Sequence, residues 1–223
     1  MGSPALHETP WDTKVFGWYT AEVPVYDSAH LQLCGLQPGL YTLKLDPLAD
    51  KTLAQAYGFY YCDTLLIPEC TDSALQRFVS PQHSISASYD KNELLTISHS
   101  AFVHGRFHRD PNIPNQLADA RYDQWLEDLM QHGQVFALMY EQSVAGFVAI
   151  KDNALQLHAV ATKFRGLGYS KYWWTSVCDE VFRQGHNKVM SSVSASNLAV
   201  VNLYNRLGFR FVKSTDVYHK YVS

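Results

Sequence analysis

Leu157-His-Ala-Val-Ala-Thr-Lys-Phe-Arg-Gly-Leu-Gly-Tyr-Ser170 runs from an apolar strand through a glycine turn into the start of an amphipathic helix. Gly166 and Gly168 let the backbone come close to a ligand, and the free N–H groups of the first helical turn present the positive end of a helix dipole. Arg165, with Lys163 and Lys171 close by, adds charge, so the turn reads as a cradle for a phosphate group. Taken alone it serves equally well as a plain helix-initiating turn. Two familiar alternatives do not fit. The strand follows an antiparallel meander with no acidic ribose partner placed as a βαβ unit requires, and no P-loop lysine comes after the glycines.

Working outward, residues 135–140, 143–151 and 154–162 read as three strands, joined by short turns at Glu141-Gln142 and Asp152-Asn153. Upstream, Asp90 with Glu93, then Leu94, Ile97, Ala101 and Phe102, gives a capped amphipathic helix. Ala118, Tyr122, Trp125 and Leu129 form a second stripe, with Gly133 as a left-handed terminus. Downstream a helix over 170–184 stops at Gly185, and a strand follows over 188–193. A helix over 197–207 stops at Gly208, and two strands, 209–213 and 216–222, finish the chain. In the 197–207 helix Val200, Leu203 and Leu207 make the expected buried stripe, with Tyr204 turned toward a groove edge.

The first 85 residues are broken by Pro24, Pro38, Pro47, Pro68 and Pro81 and read as a smaller α/β domain, with 72–88 as linker and 86–223 as the main domain. Leu53-Ala-Gln-Ala-Tyr-Gly-Phe-Tyr-Tyr-Cys-Asp-Thr has the same helix, Gly-Phe, strand order as Leu203-Tyr-Asn-Arg-Leu-Gly-Phe-Arg-Phe-Val-Lys-Ser. That echo suggests a partial copy of one fold packed at the front.

Eighteen basic against 21 acidic residues leave a net charge of −3, which offers no general field for a nucleic acid or an anionic membrane. Cys34, Cys62, Cys70 and Cys178 form no CxxC pair and read as buried small hydrophobes in a reducing compartment. No apolar run is long enough to span a bilayer, and Met1-Gly-Ser-Pro-Ala-Leu-His-Glu has neither the charged nor the apolar region of a secretory leader. A cytoplasmic protein is expected, with Met1 to Ser3 read as a possible expression remnant. A homodimer is open.

The loop resembles the coenzyme A motif of the GNAT superfamily, Gln/Arg-x-x-Gly-x-Gly/Ala, with Arg165 and Gly168 matching and Ser170 in the final small position. Asn197-Leu-Ala-Val-Val-Asn-Leu-Tyr-Asn-Arg-Leu-Gly-Phe209 is similar to that family's terminal motif. The resemblance implies an α+β fold with a central, mostly antiparallel, splayed sheet flanked by helices. It also implies acetyl transfer from acetyl-coenzyme A (acetyl-CoA) to an amine, with no metal. The coenzyme is then expected on Ala159, Val160, Ala161, Arg165, Gly166, Leu167, Gly168, Tyr169, Ser170, Asn197 and Tyr204. Tyr204 is the candidate proton donor to the departing thiolate, since a phenol stays protonated at neutral pH.

Trp11-Asp-Thr-Lys-Val-Phe-Gly17, Gly58-Phe-Tyr-Tyr-Cys-Asp-Thr64 and Ala101-Phe-Val-His-Gly-Arg-Phe-His-Arg-Asp-Pro111 resemble the dTDP-fucosamine acetyltransferase group. That resemblance implies a dTDP-linked 4-amino-4,6-dideoxy sugar as acceptor, for surface polysaccharide biosynthesis. On their own chemistry, Arg106, Phe107 and His108 suit a loop that binds a diphosphate and stacks on a ring. The amine must lose a proton before it attacks, and His158, His104 and His108 are candidate bases of which none is favoured. A main-chain N–H near Ala159 or Val160 is the expected oxyanion donor. Alternatives are a different amine (a protein N-terminus, a polyamine or an antibiotic) and a non-catalytic acyl-CoA-binding module.

Overall fold

In the computed structural model, which describes residues 3–223, the first seven elements are β1 (His7–Glu8), α1 (Pro10–Phe16), β2 (Thr20–Val23), α2 (Ser28–Leu33), β3 (Gly39–Leu45), α3 (Thr52–Ala56) and β4 (Tyr60–Thr71). A 3-10 turn at Asp72–Ala74 leads to β5 (His83–Ser86), α4 (Lys91–Ser98), the single turn α5 (Arg106–Arg109) and α6 (Asn115–His132). The meander β6 (Gln134–Tyr140), β7 (Ser143–Lys151) and β8 (Ala154–Val160) follows as expected, joined by residues such as Glu141 and Asp152 with positive φ. Then come α7 (Ser170–Arg183), β9 (Lys188–Ser191), β10 (Val193–Ser194), α8 (Leu198–Arg206) and β11 (Arg210–Val222).

Two faces of one sheet explain the apolar run in β7. Val148 and Ile150 pack with Trp173, Trp174 and Val177 of α7, whereas Phe147 and Ala149 pack with Leu94 of α4 and Leu126 of α6. Alternation sends successive side chains to opposite faces, and helices cover both, so every position from Ala145 to Ile150 is buried. The sheet order is β1-β2-β3-β11-β4-β9-β8-β7-β6-β5, with β10 paired to β4, and only β2–β3 and β8–β9 are parallel. β1–β2 antiparallel, β2–β3 parallel and β3–β11 antiparallel at one end match β7–β8, β8–β9 and β9–β4 at the other. The strand pairing therefore repeats about the central pair β4–β11. A cut at residue 85 runs through this continuous sheet, because β4 lies between β9 and β11.

Several expectations need correction. Residues 72–88 are no linker: they hold β5, which pairs with β6 along its length. The α4 helix is capped by Asp90, whose carboxylate accepts from the Glu93 N–H, but it ends at Ser98, before Ala101 and Phe102. Gly133 is extended, not left-handed; a Cβ there would lie 2.9 Å from the Ile150 carbonyl oxygen, so close approach requires the glycine. The two closing strands are one, since Ser214 and Thr215, with the look of a turn, pair with Leu66 and Leu65. All four cysteines are free and buried, and burial pushes the Cys34 thiol up to about 11 and Cys62 to about 12. Among the described residues no helix is long and apolar enough to cross a membrane.

Candidate active site

β8 and β9 pair only at Ala154↔Met190 and Leu155↔Ser191, with the Met190 N–H donating to the Asn153 carbonyl at 2.9 Å. Beyond that point β10 turns to pair with β4, β8 continues paired with β7 alone, and the sheet splits into a cleft of about 780 Å³. The opened edge of β8 is polar backbone. Ala161 N–H donates to the Ala145 carbonyl on the β7 side, at 2.8 Å. Strand alternation then turns the N–H and C=O of Val160 toward the cleft, and the Arg165 Nε–H donates to that carbonyl at 2.7 Å. β7 lies tight behind β8 at this level: a Cβ on Gly146 would sit 2.3 Å from the Ala159 oxygen.

The glycine turn closes one end of the cleft. Gly166 and Gly168 take φ values of 75° and 73°, in the left-handed region, and nothing lies within 4 Å of where a Cβ would stand on either. α7 starts at Ser170 with no side-chain cap, and although the Tyr172 N–H donates back to the Tyr169 carbonyl at 3.0 Å, the N–H groups of Ser170 and Lys171 are left for a ligand. Arg165, Ser170 and Lys171 line the same end. Lys163 instead lies over the Phe164 ring. Open glycine backbone, free amides and two cations suit a diphosphate.

α8 forms part of the opposite wall. Asn197 caps it, its side chain accepting from the Val200 N–H at 3.4 Å. The helix is rotated from expectation: Val200 and Leu203 line the cleft, while Tyr204 is fully buried beside Phe209 and Trp174. The physical reason is size. The core beneath α8 is wide enough for a ring, and Tyr204 with Leu207 fills it. The phenol remains one bond from the cleft, for its O–H donates to Ser191 Oγ at 2.8 Å and lies 3.2 Å from His158 Nε2. Ser191 Oγ donates in turn to the Leu155 carbonyl at 2.9 Å, and both Ser191 and His158 line the cleft. Burial pushes the Tyr204 phenol well above its ordinary range and the His158 imidazole down to about 4, so both are neutral near pH 7.

The far wall comes from β4, the segment 101–106 and α6. Asp63 of β4 is completely buried beneath it. Its Oδ1 accepts from Arg109 at 2.8 Å, from Ser194 Oγ at 2.7 Å and from the Thr64 N–H at 2.9 Å, whereas Oδ2 has no partner. Burial raises its pKa. Arg106 also lines the cleft, with Nε buried and unpartnered and the guanidinium 4.4 Å from the Phe107 ring centroid. Tyr122 and Trp125 supply aromatic surface.

A split parallel pair, a glycine turn and a capped helix opposite it are the parts that the family comparison brings together. The model described as Acetyltransferase (GNAT) family matches residues 100–209, from this far wall through to Phe209. The chain has the GNAT fold. The acetyltransferase is similar in fold to a GCN5-related N-acetyltransferase from Sphaerobacter thermophilus, with a TM-score of 0.63 and 12% identity over 91% of this chain and 72% of that one. It is also similar to a putative GNAT-family acetyltransferase from Novosphingobium aromaticivorans, with a TM-score of 0.56 and 16% identity over 92% and 84%. A tandem GNAT protein from the clavulanic acid biosynthesis pathway gives 0.55 and 11% over 91% and 75%. No curated protein sequence matches it. The enzyme is an acyltransferase of the N-acetyltransferase type, and acetyl-CoA is the family's acyl donor.

Of the residues expected to hold the coenzyme, Ala159, Val160, Arg165, Gly166, Gly168, Ser170 and Asn197 line the acetyltransferase cleft. Ala161, Leu167 and Tyr169 do not: Ala161 is tied to β7, Leu167 is exposed, and the Tyr169 ring stacks on Tyr140 at 5.1 Å. On the acceptor side Arg106 is in place, but Phe107 is core, packed against Phe16. His108 turns inward, where its Nε2 meets Asp119 at 3.0 Å and its ring stacks on Tyr122. The α5 turn causes this, because residues expected on one loop face are wound onto different sides. His104 stays at the cleft, and Asp63, Ser191 and Ser194 join it unforeseen.

Proposed function

We propose that the enzyme carries acetyl from acetyl-CoA to the amino group of a nucleotide-linked amino sugar of the dTDP-4-amino-4,6-dideoxyhexose type, by direct attack and without an acyl-enzyme. The observation that carries this reading is the continuity of one cleft from the glycine turn, past the split of β8 and β9, to a wall where the Arg106 Nε is buried without a partner beside Tyr122 and Trp125. An unpaired buried guanidinium donor calls for an anionic acceptor atom, and an aromatic surface suits a base or sugar ring. The amides and cations at the other end suit the coenzyme diphosphate.

In this reading the Val160 N–H stabilises the oxyanion as the amine adds to the thioester carbonyl. Tyr204 supplies the proton for the leaving thiolate. Ser191 stands between the two, so its hydroxyl leaves the Leu155 carbonyl for the sulfur while accepting from Tyr204. Mass spectrometry after incubation with acetyl-CoA and a panel of amines tests the reading. The panel holds dTDP-linked 4-amino-4,6-dideoxy sugars, spermidine, a peptide N-terminus and an aminoglycoside. Acetylated nucleotide sugar is the expected product; acetylation confined to another amine, or binding without turnover, refutes it.

A further inference from the structure

We propose that Asp63 receives the acceptor's ammonium group on its free carboxylate oxygen and takes the proton that must leave before the amine can attack. The assignment rests on the proposed reading that this end of the cleft holds an amine. Three donors converge on Oδ1 and none on Oδ2, although Arg109 has a forked guanidinium able to bridge both oxygens. A carboxylate kept only to anchor Arg109 is frequently held by two parallel bonds. Here one oxygen is fixed by Arg109, Ser194 and the backbone, and the other is a buried acceptor at the cleft wall, complementary to a cationic donor.

The proton also has a way out once the protonated carboxyl turns its O–H toward Ser194 and the Ser194 hydroxyl reverses. Ser194 Oγ, which donates to Asp63, lies 2.9 Å from Ser196 Oγ, and Ser196 Oγ lies 3.5 Å from Nδ1 of the exposed His104. Each link is a hydroxyl or imidazole that both gives and accepts. The ammonium N–H bond breaks and its proton goes to the Asp63 carboxylate, leaving the lone pair on nitrogen. That pair forms the N–C bond, the C–S bond breaks and sulfur leaves as thiolate. The nitrogen sheds its second proton as the amide forms, the thiolate gains one, and a single net proton leaves through Asp63 and the serines.

The groups facing Asp63 are Arg109 and Arg106 of α5, Tyr122 of α6, and His104 through the two serines. The guanidiniums stay charged and the buried phenol stays neutral, so Asp63 is the carboxylate whose protonation sets the acidic limb. The test measures acceptor kcat/KM against pH for whichever panel amine the parent enzyme acetylates, with acetyl-CoA Kd followed by calorimetry. Asp63→Asn should lower kcat/KM near pH 7 by at least about 100-fold. Its residual rate should climb with pH in step with the free amine, while the acetyl-CoA Kd is unchanged. Retention of kcat/KM to within about threefold, or an equal loss at every pH, overturns the proposal.

Ser194→Ala covers the case of a misfolded Asp63→Asn. Loss of one hydrogen bond to the carboxylate raises its pKa, so the acidic limb should move to higher pH, and an unmoved limb overturns the proposal. A parent that acetylates only spermidine, the peptide or the aminoglycoside refutes the sugar reading and leaves the Asp63 test intact. A parent that acetylates nothing overturns both.

Discussion

A phenol, a serine hydroxyl and an imidazole meet on the floor of the cleft, and the order of donors among them fixes what each can do. Because Tyr204 donates to Ser191, His158 Nε2–H is the group left to donate to the phenol oxygen, and a neutral imidazole satisfies this. Tyr204→Phe removes the donor and keeps the buried ring. We expect kcat to fall by at least about tenfold with an unchanged acetyl-CoA Kd, read by stopped-flow thiol release and calorimetry. His158 has a second, pH-linked signature. Its folded-state pKa of about 4 lies below the ordinary value near 6.5, so the stability it contributes is present above pH 6.5 and is lost as pH falls toward 4. His158→Gln should therefore lose less stability than the parent between about pH 7 and pH 4.5 in denaturant titrations. At Arg106, alanine removes the unpaired donor, and acceptor KM should rise by about tenfold while acetyl-CoA binding is spared. The place of Arg165, Gly166, Gly168 and Asn197 at the cleft was legible because it is set by local turns and caps. Asp63 was not, because its partners Arg109 and Ser194 come from distant parts of the chain. The available signal was a carboxylate set within Tyr60-Tyr-Cys-Asp-Thr-Leu-Leu-Ile67, an apolar strand where an acid needs a reason.

At the scale of elements, the cleft exists because β8 and β9 part and the turn after β8 bends back without side chains in the way. Gly168 has room for a Cβ but a φ of 73°, which costs an L-residue about 1–2 kcal/mol. Gly168→Ala should relax the turn, raise the acetyl-CoA Kd by about tenfold and leave the fold intact, as read by calorimetry and far-UV circular dichroism. Unchanged affinity would show that the amides of this turn do not hold the coenzyme. The same distinction between local and distant causes governs which elements the sequence disclosed. Helices α6, α7 and α8 and the β6–β8 meander follow from periodicity and turn residues within each segment. The face of α8 did not, since Tyr204 enters the core for lack of any other side chain large enough to fill it. Nor did the continuity of β11, because Ser214 and Thr215 are held extended by Leu65 and Leu66 of β4, about 150 residues earlier.

The central β4–β11 pair ties the front of the chain to the catalytic region more closely than a linker would. β4 supplies Asp63, Leu65 and Ile67 to the cleft, and Cys70 to the core beneath α7 and α8. Within residues 86–223 alone, β9 and β11 would face a missing strand, with both edges unpaired. β2 and β3, the counterparts of β8 and β9 in the repeated pairing, stay hydrogen-bonded from Thr20↔Leu40 to Val23↔Leu43 and never split. A fragment of residues 86–223 should therefore fail to fold independently. In guanidinium the whole chain should unfold in one transition by tryptophan fluorescence and far-UV circular dichroism together, while the fragment should be insoluble or bind a hydrophobic dye without a cooperative transition. A soluble fragment that unfolds cooperatively and binds acetyl-CoA with the affinity of the full chain would show that the front residues are an accessory and that β4 is dispensable to the cleft.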